Sequence, residues 1–352
     1  MAQPSRFIGL SLGLMCCGAA AAGPQTLTAS EAIDRLRRDN SQGSVWRQII
    51  LSTSVEDVVP ALVTAMREDA AFAPGTEARR RGLEVLTHAH RPNDLWSIWH
   101  PEQASFLSAL LIDKDPTEVR MVLEAGRSIA PELRPQFTQH FPSLLEHDDW
   151  YIVSRTCLAI AGMENEGAGN ETVLRKLAVD PATVNPQMWA RAQAEDTPPP
   201  AHQPTIFDQP GVMQVRVWAA LALWRSTPTA ENELALAERA EPHTRAVLAL
   251  GLALSLEGQV LDPSGGPFAR MQPGNQARAI RVLRTAIEEP DGIGLSQRGA
   301  ILLALQVAQQ RAADPLVREE VLGMLEDHRK QAIAPTVAAD IDRAIAALKQ
   351  QR

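Results

Sequence analysis

Downstream of residue 22 the sequence contains no GxxxxGK[ST], HExxH, GxSxG, GxGxxG or CxxC pattern. The usual nucleotide-cradling, zinc-protease, serine-hydrolase and dithiol signatures are therefore missing. Aromatic residues make up only 4% of the 352 residues, with a single tyrosine, Tyr151, so few platforms exist for stacking sugar rings. Three cysteines occur, and Cys16 and Cys17 lie beside each other near the amino terminus. Cys157 stands alone in the rest of the chain and has no partner there for an internal disulfide. It falls with Trp150, Val153, Ile160 and Ala161 on one helical stripe, the pattern of a small core residue rather than a reactive thiol. No segment sustains the alternation of β-branched residues that marks a strand. Past residue 22 the longest apolar stretch, Ala246 to Leu256, is closed by Arg245 and Glu257 and is too short to cross a membrane.

What is present is a globular composition, 45% hydrophobic and 22% charged, with a formal charge of −8. That balance disfavours a duplex nucleic acid or an anionic lipid surface as partner. The basic runs Arg35-Leu36-Arg37-Arg38 and Arg79-Arg80-Arg81 each have acids close by, and both read as solvated helix faces. At the amino terminus Arg6 precedes the apolar run Phe7 to Met15 and then Ala19-Ala20-Ala21-Ala22-Gly23. This order of basic, apolar and small residues is expected of a signal peptide over residues 1–22, hence an exported, periplasmic or secreted chain. Leu14, three residues before Cys17, resembles a bacterial lipobox and makes a lipid anchor at Cys17 the alternative.

Apolar spacings of three and four recur almost throughout, which predicts an all-α chain. Helix starts are marked by Thr28 with Glu31, Ser54 with Asp57, and Asp115-Pro116 with Glu118. Pairing the helices gives about eight antiparallel hairpins, over residues 28–53, 54–90, 93–130, 131–163, 169–226, 230–257, 273–311 and 314–350. Two segments interrupt them: a Pro-rich loop at 181–211 and a Gly/Pro loop at 259–274.

A phrase recurs along the chain, opening on Asp and continuing with Val and Arg into small apolar residues. It reads Asp115, Val119 and Arg120, then Asp149, Val153 and Arg155, then Val215 and Arg216; Asp314-Pro315-Leu316-Val317-Arg318 is a compressed copy. These residues resemble HEAT repeats, the armadillo-type helical repeats, over 54–226, within a repeat section placed at 28–226. Residues 246–290 are similar to a tetratricopeptide repeat, through Gly251, Gly258, Ala279, Ala286 and Pro290, within a second section at 227–350. The resemblance implies a right-handed superhelical array, an α-solenoid, whose concave face holds other polypeptides. It also implies a structural ladder between repeats formed by Asp115, Arg120, Asp149, Arg155, Arg216, Asp314 and Arg318. Neither family carries catalytic residues or a cofactor.

Candidate chemistry is sparse. His88 and His90 would point about 200° apart on a helix, and His140 and His147 lie roughly 10 Å apart along one, so neither pair is expected to hold a metal. His147, Tyr151 and Arg155, spaced four and four, are the one set suited to β-elimination from an acidic polysaccharide, as base, acid and charge neutraliser. Tryptophans are the alternative source of recognition. Trp96 and Trp99, in a short segment between hairpins where exposure is expected, and Trp189 and Phe207, in the Pro-rich stretch, are the candidate partner contacts. The expectation is an exported, non-catalytic protein–protein interaction scaffold of the bacterial cell envelope, with a polysaccharide lyase using His147, Tyr151 and Arg155 as the alternative.

Overall fold

The computed structural model describes residues 27–38, 45–88, 99–112, 115–125, 129–163, 169–195, 211–226, 230–257, 271–288, 315–330 and 335–350. The segment 1–22 with Cys17, and Trp96, Phe207, Asp314, Gly258 and Pro290, lie outside the described residues.

Among the described residues the chain is all-α, with no strand. The helices are α1 (Ala29–Arg38), α2 (Val45–Ser52), α3 (Val55–Glu68), α4 (Glu77–His88), α5 (Pro101–Leu110), α6 (Pro116–Ala125), α7 (Arg134–Thr138), α8 (Phe141–Leu145) and α9 (Trp150–Gly162). They continue as α10 (Glu171–Val179), α11 (Pro186–Ala194), α12 (Gly211–Ser226), α13 (Glu231–Arg239), α14 (Pro242–Glu257), α15 (Pro273–Glu288), α16 (Pro315–Lys330) and α17 (Pro335–Gln350). None of them is long and apolar enough to cross a membrane.

Local chemistry accounts for where they begin. Ser54 Oγ accepts from the Asp57 amide at 3.3 Å, and Thr28 and Glu31 bond each other reciprocally, with 2.9 Å from the Thr28 amide to Glu31 Oε2. Each arrangement satisfies amides that have no partner within the helix. Seven of the described helices open on proline, which supplies the right φ where no donor is needed.

That use of proline corrects the expected loop at 181–211. Residues 181–183 form a 3₁₀ turn and Pro186–Ala194 is helix α11, capped by Asn185, whose Oδ1 accepts from the Gln187 and Met188 amides at 2.9 and 3.0 Å. Only the remainder of that stretch lacks a described helix. The Gly/Pro segment 259–274 is described only from Met271, and Pro273 and Gly274 already belong to α15.

Helices pack in two rows. One row runs α2 on α4, α4 on α6, α6 on α9, α9 on α12, α12 on α14, α14 on α15 and α15 on α16; a second runs α1 on α3, α3 on α5 and α5 on α7. Farther along, α10 covers α12, α13 covers α14 and α15, and α17 packs on α16. The apolar core is continuous from Ala32 to Leu348.

At its centre α12 has no exposed residue. Trp224 is fully buried there and donates its indole N–H to the Leu248 carbonyl at 2.8 Å, so its one polar atom is satisfied inside the core. On the neighbouring helix Gly251 lies so close to α12 that a Cβ would stand 2.6 Å from the Ala220 Cβ. A helix buried all round, as α12 is, offers no side chain to a partner.

Candidate functional site

The corner that leads into α9 gathers most of the polar side chains singled out above. Asp149 caps the helix: its Oδ1 accepts from the Tyr151 amide at 2.9 Å and the Ile152 amide at 3.2 Å. Its Oδ2 accepts from Arg120 Nη2 of α6 at 2.6 Å. His147 Nδ1 accepts from the Asp149 amide at 2.9 Å, which places the proton of a neutral ring on Nε2.

Tyr151 stands between two guanidinium groups, Arg120 at 4.7 Å and Arg155 at 4.5 Å from the ring centroid. Each is held by the negative face of the ring. Arg155 Nη2 also donates to the tyrosine oxygen at 2.6 Å. Sequence spacing therefore did bring Tyr151 and Arg155 together. His147, by contrast, is committed through Nδ1 to the turn, and in that form its other ring nitrogen is a donor, not a base.

Helix α11 braces the same corner. Asn185 Nδ2 donates to the Glu146 carbonyl and to Asp148 Oδ1, both at 2.9 Å, while the Trp150 indole donates to Glu195 Oε2 at 2.7 Å. Gly211, the first residue of α12, lets the Trp150 ring approach: a Cβ there would meet it at 2.9 Å.

The other ladder candidates are placed as follows. Asp115 Oδ1 accepts from the Thr117 amide at 2.9 Å and so caps α6. Arg216 is buried and bonds the carbonyls of Ala178 and Val179, at 3.0 and 3.2 Å, and Thr244 Oγ1 at 3.0 Å. One side chain on α12 thus ties the end of α10 to the first turn of α14. Burial draws its pKa below the ordinary arginine value, with Asp180 opposing. Arg318 is half-buried on α16.

Two sequence expectations are corrected. Trp99 is buried, 7% exposed, so its ring is core at the start of α5 and not a surface anchor; Trp189 of α11 is half-buried. Within Arg79-Arg80-Arg81 only Arg80 is exposed, pairing with Glu77 and Glu84, whereas Arg79 and Arg81 are buried. Arg79 forms a two-pronged ion pair with buried Glu118 of α6, at 2.5 and 2.8 Å, and donates to the Met66 and Phe72 carbonyls. Sequence reasoning missed this pair because the partner lies 39 residues away.

Cys157 is fully buried, and burial raises its thiol pKa far above the ordinary value, so it is a packing residue with no nucleophilic character. No cluster of histidine, cysteine and carboxylate suited to a metal occurs among the described residues. No protein-family model matches this sequence, and no curated protein is similar enough to lend it a function.

Proposed function

We propose that the chain is an exported, non-catalytic scaffold of the bacterial cell envelope that holds a partner polypeptide. In this reading it is a right-handed superhelical array of about eight antiparallel hairpins, in the manner of HEAT and tetratricopeptide repeats. The observation that carries it is the order of helix packing, α2–α4–α6–α9–α12–α14–α15–α16, in which each helix is covered by its neighbours in the row. Stability supplied by neighbours leaves side chains outside the rows at liberty to be shaped for binding.

Arginine cross-links reinforce the row: Arg79 to Glu118, Arg120 to Asp149 and Arg216 to Thr244 each join helices of successive pairs. The polar corner at Tyr151 supports the same reading. Its groups are occupied by one another, as caps and stacked pairs, which suits a joint between repeats better than the acid and base of a lyase.

Export rests on Arg6, the apolar run to Met15 and the alanines before Gly23. Replacing Cys17 with alanine separates a lipid-anchored from a released protein, since only the anchored form moves from the membrane to the soluble fraction.

The scaffold reading is tested by photo-crosslinking in cells from benzoylphenylalanine placed at exposed positions along the described helices, including Gln187 beside Trp189 on α11. It predicts one defined envelope protein captured from adjacent positions. Capture of no protein from any position, together with an unsaturated product from a uronate polymer, would contradict it and favour the lyase.

A further inference from the structure

Helices α10 and α13, which cover α12 and α14, do not pack along one another, although Arg175 of α10 reaches Glu233 of α13. The gap between them is an open groove of about 440 Å³. Its wall on α13 is the face made by Asn232, Ala235, Leu236 and Arg239, spaced three, four and seven apart so that they share one side of the helix. Its wall on α10 is Arg175.

Two guanidinium groups therefore share the lining with the apolar side chains Ala235 and Leu236. Arg175 uses one N–H, from Nη2 to the buried Glu233 carboxylate at 3.2 Å. A guanidinium has five N–H donors, so four remain. Arg239 is exposed and makes no hydrogen bond or ion pair among the described residues.

Arg239 has no evident structural duty either. It is the last residue of α13, where a cation would help by binding terminal carbonyls, but Arg245 already takes them. Arg245 donates to the Ala237 carbonyl at 3.2 Å and to the Ala240 carbonyl at 2.8 Å.

We infer that this groove receives a polypeptide segment carrying carboxylate side chains around an apolar residue, with Arg239 and Arg175 pairing the carboxylates and Leu236 meeting the apolar residue. The inference rests on the scaffold reading and names the chemistry of its partner. Charge complementarity selects the occupant. With Glu233 paired to Arg175 and the adjacent Glu238 paired to Arg278, Arg239 is the guanidinium of this lining that no carboxylate bonds among the described residues. Three of the five lining residues are Arg or Asn with donors to offer.

Competing occupants fit less well. The formal charge of −8 repels a polyanion such as nucleic acid or an anionic bilayer as a whole. No lining residue is aromatic, so a sugar chain finds nothing to stack on. A short peptide meets the local field of the groove and an apolar contact at once.

The test uses full-length protein and an array of 12-residue peptides whose four central positions are varied among Glu, Gln, Lys and Leu. A uronate oligosaccharide and phosphatidylglycerol vesicles are the competing probes. Peptides combining Glu with Leu should bind, and their Gln and Lys counterparts should bind at least about tenfold more weakly. Arg239→Glu should lower binding of the Glu peptides by at least about tenfold and favour the Lys peptides. Lys176→Glu, the same charge change on an exposed residue of α10 outside the groove, should leave both unchanged.

Peptides that bind regardless of Arg239→Glu would overturn the groove and leave the scaffold reading standing. Binding of the oligosaccharide or vesicles with no peptide bound would overturn both.

Discussion

Arg120 and Asp149 meet at 2.6 Å between α6 and α9, and the same Asp149 carboxylate caps α9 through its other oxygen. One side chain thus both begins a helix and fastens it to the preceding pair. Asparagine at 149 keeps the cap and loses the charge, whereas alanine loses both. Asp149→Ala should therefore be about 1 kcal/mol less stable than Asp149→Asn in urea unfolding. The ion pair, partly exposed, is worth at most about 1 kcal/mol, so Arg120→Ala should cost less by about that amount once Asp149 is asparagine, the remainder being its stacking on Tyr151.

Buried charge predicts a larger effect at Arg79 and Glu118, whose side chains are 7% and 6% exposed. Removing one partner strands the other, so Glu118→Ala should cost about 3–5 kcal/mol by chemical denaturation. Replacing both together by Met and Leu should cost far less, because no uncompensated charge is left.

Two glycines separate close packing from helix propensity. Gly251→Ala places a methyl 2.6 Å from the Ala220 Cβ and 2.8 Å from backbone, so α12 and α14 must part and stability should fall by about 1–3 kcal/mol. Gly274→Ala, in the first turn of α15 with nothing within 4 Å, should instead raise it by about 0.4–1 kcal/mol. Thermal unfolding of the two variants should shift in opposite directions.

His140 gives a pH signature. Its Nε2 lies 3.2 Å from Ser108 Oγ, and burial lowers its pKa from the ordinary 6.5. The unfolded chain then binds the proton more readily than the folded one. Stability from this residue is complete above about pH 6.5 and is lost as pH falls toward the depressed value. His140→Asn should flatten the acid side of a stability–pH curve over that window, and a curve of unchanged slope would count against the assignment.

Local signals made much of the fold legible. The caps at Thr28, Ser54 and Asp115 lie within a few residues of what they bind, and each appears where the sequence placed a helix start. Proline was harder to read. Beside Pro198-Pro199-Pro200, Asn185-Pro186 resembled part of a loop, although the same pair caps and opens α11.

Features that depend on distant partners were not legible. Glu77 and Glu84 satisfy Arg80 locally, yet nothing near Arg79 announces Glu118. Trp99 looked exposed from its position between hairpins, and only tertiary packing buries it. The groove beside Arg239 likewise lies between two helices far apart in sequence, an arrangement that no single segment encodes.

The central claim, that each helix pair is held by its neighbours in a linear stack, is tested most directly by deleting residues 315–352 and following amide hydrogen exchange. The account predicts that α1 to α9 keep their protection while α15, which has lost its contact with α16, exchanges faster. Loss of protection in α1 to α9 on removal of α16 and α17 would contradict it.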